Sequence, residues 1–211
     1  MPEDARQSSP EQGRLTAGDA LSSRSPRTAP ALRVATQSSI ALASVLILGT
    51  AALAAFLIDP TWFRAGAPGA SAQELFPSSV QGIFLRNMSS ALLLYSGVIT
   101  AGITGTVVGI TVGAYFGLFF RLGLDSMGWE LTLSRVGVYT LLELSGLIAA
   151  CAAGLLPILA TIWVSRSETH SGIRTNLSAY SLGMQRSVSL IGVASVFLLG
   201  GAAVESFVIA R

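Results

Sequence analysis

The 211-residue sequence contains one cysteine, one histidine and no lysine, and only 11% of its residues are charged. Cys151 and His170 alone cannot build a disulfide framework, a Cys-and-His zinc site or a cysteine–histidine dyad within one chain. His170 lies in a polar stretch, which also disfavours a serine–histidine–acid triad. We therefore expect a protein that is not an enzyme and that holds no metal or other cofactor.

Charge of either sign is scarce. The sequence has thirteen arginines and eleven acidic residues, and the absence of lysine is typical of GC-biased bacterial coding sequences. The formal net charge of +2 is too small for the clustered basic face of a nucleic-acid-binding domain, so we exclude nucleic acid as a partner. Hydrophobic residues make up 51% of the chain, which indicates a membrane protein with the lipid bilayer as its surroundings.

Residues 1–33 differ from the rest of the chain. They carry five arginines, four acidic residues and four prolines, with almost no large apolar side chains. Such a segment cannot bury enough apolar surface to offset its chain entropy. We predict a disordered cytoplasmic tail at 1–33 and a transmembrane helical domain at 34–211.

Long uncharged runs predict the membrane spans. Val34–Ile58 would rise about 37 Å as a helix, enough to cross a hydrocarbon core of about 30 Å. Met88–Phe120 would rise about 50 Å, so a break at residues 101–105 is expected, with one strongly tilted helix as the alternative. The predicted fold class is an all-α polytopic bundle of five spans, or of four if Met88–Phe120 is one continuous helix. The other predicted spans are Val80–Thr100, Thr104–Leu124, Val136–Val164 and Ser187–Ala210. Residues 59–79 and 165–186 are predicted to be loops.

Arginine distribution predicts the orientation. With the N-terminus inside, both the four-span and the five-span arrangement place eight arginines on the cytoplasmic side and five outside. The positive-inside rule therefore favours a cytoplasmic N-terminus, although it does not choose between four and five spans.

Small residues recur every four positions on two of the predicted spans. Because lipid provides little hydrophobic force between helices, small residues that allow close backbone approach form the contact surfaces. We interpret both series as packing seams within one bundle, with a homo-oligomer face as the alternative for the first; the two series are Gly105, Gly109, Gly113 and Gly117, and Gly146, Ala150 and Gly154.

Two acidic residues lie inside predicted spans. An ionisable side chain within a span is costly, so it usually faces the bundle interior and has a partner. The last two spans are antiparallel, which places Glu143 and Glu205 on one membrane side. In the five-span arrangement, four more polar residues lie on the same membrane side: Arg86, Asn87, Arg121 and Arg135. We predict that they form a polar cluster with the two glutamates and hold the outer helix ends together. Partner binding and ion relay are the alternative roles.

Three stretches resemble the stage II sporulation protein M family. VYTLLELSGLIAACAAGL at Val138–Leu155 is similar to its signature helix, and Glu143 matches the glutamate of that helix. IFLRNMSSALLLYSGVITAG is similar to its second span, and GGAAVESFVIA to its closing glutamate motif. Tyr139 and Thr140 stand where the family has a His-Gly pair.

This resemblance implies a multi-spanning bacterial inner-membrane protein without known catalytic activity. Sporulating members help to organise cell-wall hydrolases, the stage II sporulation proteins D and P, during engulfment of the forespore. The function we expect is therefore a non-enzymatic scaffold for other membrane or cell-wall proteins. Relatives beside circular bacteriocin genes make a peptide export or immunity component, or another transport complex, the alternative.

Overall fold

The computed structural model describes residues 28–59, 79–167 and 172–209, and within these ranges the chain is helical without strands. In chain order, the elements are α1 (Thr28–Leu57), α2 (Val80–Tyr95), a 3₁₀ turn (Ser96–Val98), α3 (Ile103–Ser167) and α4 (Ile173–Ile209). The all-α prediction is confirmed for this part of the chain.

Helix α3 is a hairpin bent at Gly128. The backbone there has φ 76° and ψ 173°, a conformation that glycine adopts without the steric cost of a Cβ atom. The two arms, 103–127 and 129–167, meet beside the bend, where the rings of Phe120 and Trp129 pack edge to face with centroids 6.3 Å apart. Thr132 supports the turn because its hydroxyl donates to the carbonyl of Gly128 at 2.7 Å.

A second reversal joins α2 to the first arm of α3. Ala101 and Gly102 both have positive φ, at 51° and 89°. The amide of Gly102 donates to the carbonyl of Gly97 at 2.7 Å, and the hydroxyl of Thr100 accepts from the amide of Thr104 at 3.0 Å. The predicted break at residues 101–105 therefore exists and begins slightly earlier, at the 3₁₀ turn.

Contacts between glycines and neighbouring helices show the direction of each segment. Along the first arm of α3, Gly109 lies beside Ile47 and Gly117 beside Ala51, so α1 runs parallel to this arm. Gly105 lies beside Leu94, whereas Arg86 reaches Tyr115, so α2 is antiparallel to the same arm. The segments α1, α2 and the first arm of α3 therefore alternate in direction along the bundle axis.

The second arm and α4 continue this alternation. Gly183 at the start of α4 packs on Pro157 near the end of α3, and Gly201 packs on Glu143 near the start of the second arm. Five helical segments therefore alternate in direction around a core whose buried residues include Ile47, Leu94, Leu147, Cys151 and Leu198.

Four helical segments are long and apolar enough to cross a membrane: Ala29–Leu57, Ile103–Ser134, Tyr139–Ser167 and Ile173–Val208. Large apolar side chains point outward from them, as expected for a surface solvated by lipid. The predicted multi-pass membrane protein is thus confirmed among the described residues. Helix α2 does not reach this length, because its 16 residues rise only about 24 Å.

Two predicted non-helical segments are wrong where the structure describes them. Residues 28–33, assigned to the tail, begin α1, because Leu32 is buried with Leu156 and Ala160. The predicted loop at 165–186 is helical up to Ser167 and again from Ile173, and the hydroxyl of Ser165 donates to Asn176 Oδ1 at 2.7 Å. Polar residues here mark helix ends that extend beyond the apolar core. Residues 1–27 and 60–78 lie outside the described part.

Candidate functional site

Glu143 is the centre of the polar cluster. It lies on the second arm of α3 with only 7% of its surface exposed. Its Oε1 accepts a hydrogen bond from Asn87 Nδ2 on α2. A carboxyl group buried among apolar side chains needs such a partner, because an unsatisfied one would bear its full desolvation cost. The bond links α2 to α3.

Helix α4 reaches the same place through Gly201. A Cβ atom at this position would lie 2.9 Å from Cγ of Glu143, so only glycine lets the two helices approach this closely. Glu205 follows one helical turn later on the same face of α4. Its carboxyl group interacts with that of Glu143, so three helices meet at this polar cluster.

Arg86 supplies positive charge beside the two carboxyl groups. It precedes Asn87 on α2 and interacts electrostatically with both Glu143 and Glu205. Its Nη2 also donates to the hydroxyl of Tyr115 on the first arm of α3 at 3.4 Å. The guanidinium therefore offsets carboxylate charge and connects α2 to the first arm as well.

Two tyrosines that sequence reasoning did not select lie beside the cluster. Tyr115 is the partner of Arg86, and Tyr139 lies one turn before Glu143, close enough to interact with both acids. The spacing of Tyr139 from Glu143 was an available signal, because residues four apart share a helix face. Nothing in the sequence pattern pointed to Tyr115, whose partner is 29 residues away.

Arg121, one of the other two predicted arginines, does not extend the cluster. Arg121 pairs with Asp125 on its own helix, with Nε 3.2 Å from Oδ1, and 46% of its side chain is exposed. An exposed pair of this kind contributes about 0–1 kcal/mol. Arg135 lies on the second arm two turns before Glu143, and its side chain is outside the described part of the structure.

The first small-residue series packs inside the chain. Gly113 and Gly117 lie against the backbone of α1 at Ile47 and Ala51, where a methyl group would overlap main-chain atoms. Gly109 lies against Cys151, and Gly105 against the carbonyl of Leu94 at the end of α2. This face is therefore occupied by three neighbouring segments of the same chain.

The second series faces two different helices. Gly146 receives Leu198 of α4, whose Cγ would lie 2.8 Å from an added Cβ. Gly154 lies against the carbonyl of Leu94, and Ala150 between them is fully buried. Cys151 also packs here, with Sγ 3.6 Å from the carbonyl oxygen of Gly105.

The cluster combines two carboxyl groups, one amide and one guanidinium where three helices meet. Such a set can hold helices together or receive a polar group from another molecule. Among the described residues, no three His, Cys, Asp or Glu side chains are grouped to hold a metal ion. No protein-family model, curated protein or solved structure matches this chain.

Proposed function

We propose that this protein is a non-enzymatic scaffold in a bacterial cytoplasmic membrane, which organises partner proteins such as cell-wall hydrolases. The observation that carries the proposal is the hydrogen bond between Asn87 and Glu143, with Glu205 and Arg86 beside it. A buried polar junction of three helices holds one end of the bundle in a defined arrangement. A defined membrane-embedded platform is what an assembly partner needs.

The same proposal includes five crossings with the N-terminus inside. Helix α2 and the 3₁₀ turn together cover Val80–Val98, and these residues extend about 28–30 Å along the helix axis. Gly102 at the reversal lies against Leu155 and Ile158, the same level of α3 at which Gly183 meets Pro157. If this level marks the inner boundary, every segment crosses about 30 Å of hydrocarbon in about 20 residues.

Cysteine accessibility tests the number of crossings. In a Cys151→Ala background, single cysteines at positions 103 and 125 are expected to react with a membrane-impermeant thiol reagent from opposite sides of the membrane. The native thiol of Cys151 is fully buried, so its removal is a small packing change. Labelling of both positions from one side would contradict the five-span arrangement.

The bend at Gly128 then projects from the membrane on the side opposite the N-terminus. If each arm of α3 crosses the hydrocarbon in about 20 residues from the inner boundary, the first arm leaves it near position 123 and the second arm enters it near position 138. The exposed residues between these points include apolar side chains and two acids: Met127, Trp129, Leu131, Leu133, Asp125 and Glu130. Exposed apolar side chains outside the hydrocarbon favour contact with another protein. This hairpin is the partner surface in our proposal.

Photo-crosslinking tests this surface in whole membranes. A photoreactive amino acid at position 129 or 131 is expected to form an adduct with a protein that carries a cell-wall hydrolase domain, identified by mass spectrometry. The matched control is position 196, because Val196 is 72% exposed on a membrane-crossing part of α4 and faces lipid. Equal protein capture at position 196, or only lipid adducts at 129 and 131, would contradict the scaffold.

The second candidate is a component of peptide export, immunity or another transport complex. It is favoured by one observation, namely two acidic side chains side by side within the bundle, since such groups occur along ion and proton pathways. Reconstituted liposomes separate the two functions. Substrate-dependent flux by the purified chain, with no protein partner recovered from membranes, would select transport and overturn the scaffold.

A further inference from the structure

Four arginines surround the end of the bundle opposite the polar cluster. Arg33 lies on α1, Arg166 near the end of α3, and Arg174 and Arg186 on the first part of α4; all four are exposed. They come from three helices, and the sequence separates Arg33 from the other three by more than a hundred residues. Their common location is therefore a property of the fold.

Packing contacts place these arginines at one end. Leu32, next to Arg33, is buried with Leu156 and Ala160 of α3. The hydrogen bond from Ser165 to Asn176 joins the end of α3 to α4. Arg166 directly follows Ser165, and Arg174 lies two residues before Asn176. The third contact, between Gly183 and Pro157, lies three residues from Arg186.

The charge of this end is one-sided. The described residues around it include no aspartate or glutamate. Outside the described residues, the connection 168–171 adds one acid, Glu168, and residues 1–27 add four acids and four arginines, so arginines still outnumber acids by three. At the opposite end, the described residues include five acids: Asp59, Asp125, Glu130, Glu143 and Glu205.

Aromatic and apolar side chains accompany this positive charge. Trp163 lies one turn before Arg166, whose guanidinium carbon is 5.8 Å from the centroid of the indole ring. Tryptophan favours the membrane interface, and arginine extends its aliphatic stem along apolar surface towards the headgroups. Arginine also binds phosphate oxygens through two parallel N–H donors.

We propose that this end of the bundle binds the phosphate headgroups of anionic phospholipids, with Arg33, Arg166, Arg174 and Arg186 as the ligating side chains. Headgroups bound at this end would contact arginines from all three helices, α1, α3 and α4. Bound lipids would thus cover the helix ends on this side of the bundle. The inference does not depend on a protein partner or on transport.

Native mass spectrometry of the purified full-length chain in detergent tests the proposal, with phosphatidylglycerol titrated against phosphatidylethanolamine. We expect phosphatidylglycerol to be retained preferentially. In the double variant Arg166→Gln/Arg174→Gln, its affinity should fall about 25-fold, because each arginine near anionic lipid is worth roughly 1 kcal/mol, or about fivefold. Raised salt should weaken binding in the parent chain.

Arg121→Gln is the matched control, because Arg121 is an exposed arginine at the opposite end of the bundle. The affinity of this variant for phosphatidylglycerol should equal that of the parent chain. Equal retention of the two lipids, or unchanged affinity in the double variant, would overturn the proposal. Displacement of phosphatidylglycerol by millimolar inorganic phosphate would also overturn it, because the site would then recognise a free anion. If the double variant fails to fold, Arg33→Gln/Arg186→Gln provides the same comparison.

Discussion

Replacing Glu143 with alanine is expected to reduce the free energy of unfolding by about 2 kcal/mol, because a polar group inside the bundle that loses its hydrogen-bond partner costs about 1–3 kcal/mol. The substitution removes the acceptor for Asn87 and the side chain against which Gly201 packs. Glu143→Gln should lose less, since its amide oxygen can still accept from Asn87. The measurement is the unfolding transition of the purified protein in mixed micelles.

Glu130→Ala is the control for the Glu143 experiment. Glu130 is an exposed acid beside the Gly128 bend, so its removal should change stability by no more than about 0.5 kcal/mol. The Asn87→Ala variant, combined with Glu143→Ala in a double-mutant cycle, measures the coupling between the two side chains. Unchanged stability of Glu143→Ala together with loss of a protein complex would show that the carboxyl group serves a partner and does not hold the helices together.

Replacing Gly117 with alanine is expected to reduce the free energy of unfolding by about 1–3 kcal/mol, the usual cost of overfilling a packed contact. The new methyl group would overlap the backbone of Ala51, so α1 and the first arm of α3 would have to move apart. Main-chain atoms cannot rotate away as the end of a flexible side chain can. Thermal unfolding monitored by size-exclusion chromatography in detergent provides the measurement.

The control for this substitution lies on the partner helix. Gly49 on α1 has open space around the position of a Cβ atom. Gly49→Ala should therefore leave the protein as stable or make it slightly more stable, by up to about 1 kcal/mol, because alanine favours the helix over glycine. Equal destabilisation by Gly49→Ala and Gly117→Ala would contradict the assignment of Gly117 to a close helix contact.

The polar cluster and the glycine contacts serve one architecture. Glycines allow main chains to approach closely, which brings Asn87, Glu143 and Glu205 within reach of one another. In a bilayer, neither contribution is replaced by hydrophobic force between helices, since lipid tails are as apolar as leucine. The two expected losses of stability therefore test the polar contribution and the packing contribution to the same helix arrangement.

The sequence predicted the helices well where apolar runs were long. All of Val136–Val164 and all of Val34–Ile58 except its last residue lie within helices, and the break near Gly102 followed from a run too long for one crossing. Prediction failed at helix ends, where residues 28–33 and 173–186 are helical despite their polar character. Hydropathy reports the preferred solvent of a segment, whereas the hydrogen-bonded helix continues beyond the lipid.

The sequence by itself determined that the chain is an all-α membrane protein and that Glu143 and Glu205 need partners, because burial in lipid imposes these requirements on any fold. Only the tertiary structure decided which side chains meet them. Arg86 approaches both acids through α2, while Arg121, equally suitable by charge, pairs with Asp125. Which face of a helix meets its neighbour depends on close packing at glycines such as Gly201, and local composition does not specify that contact.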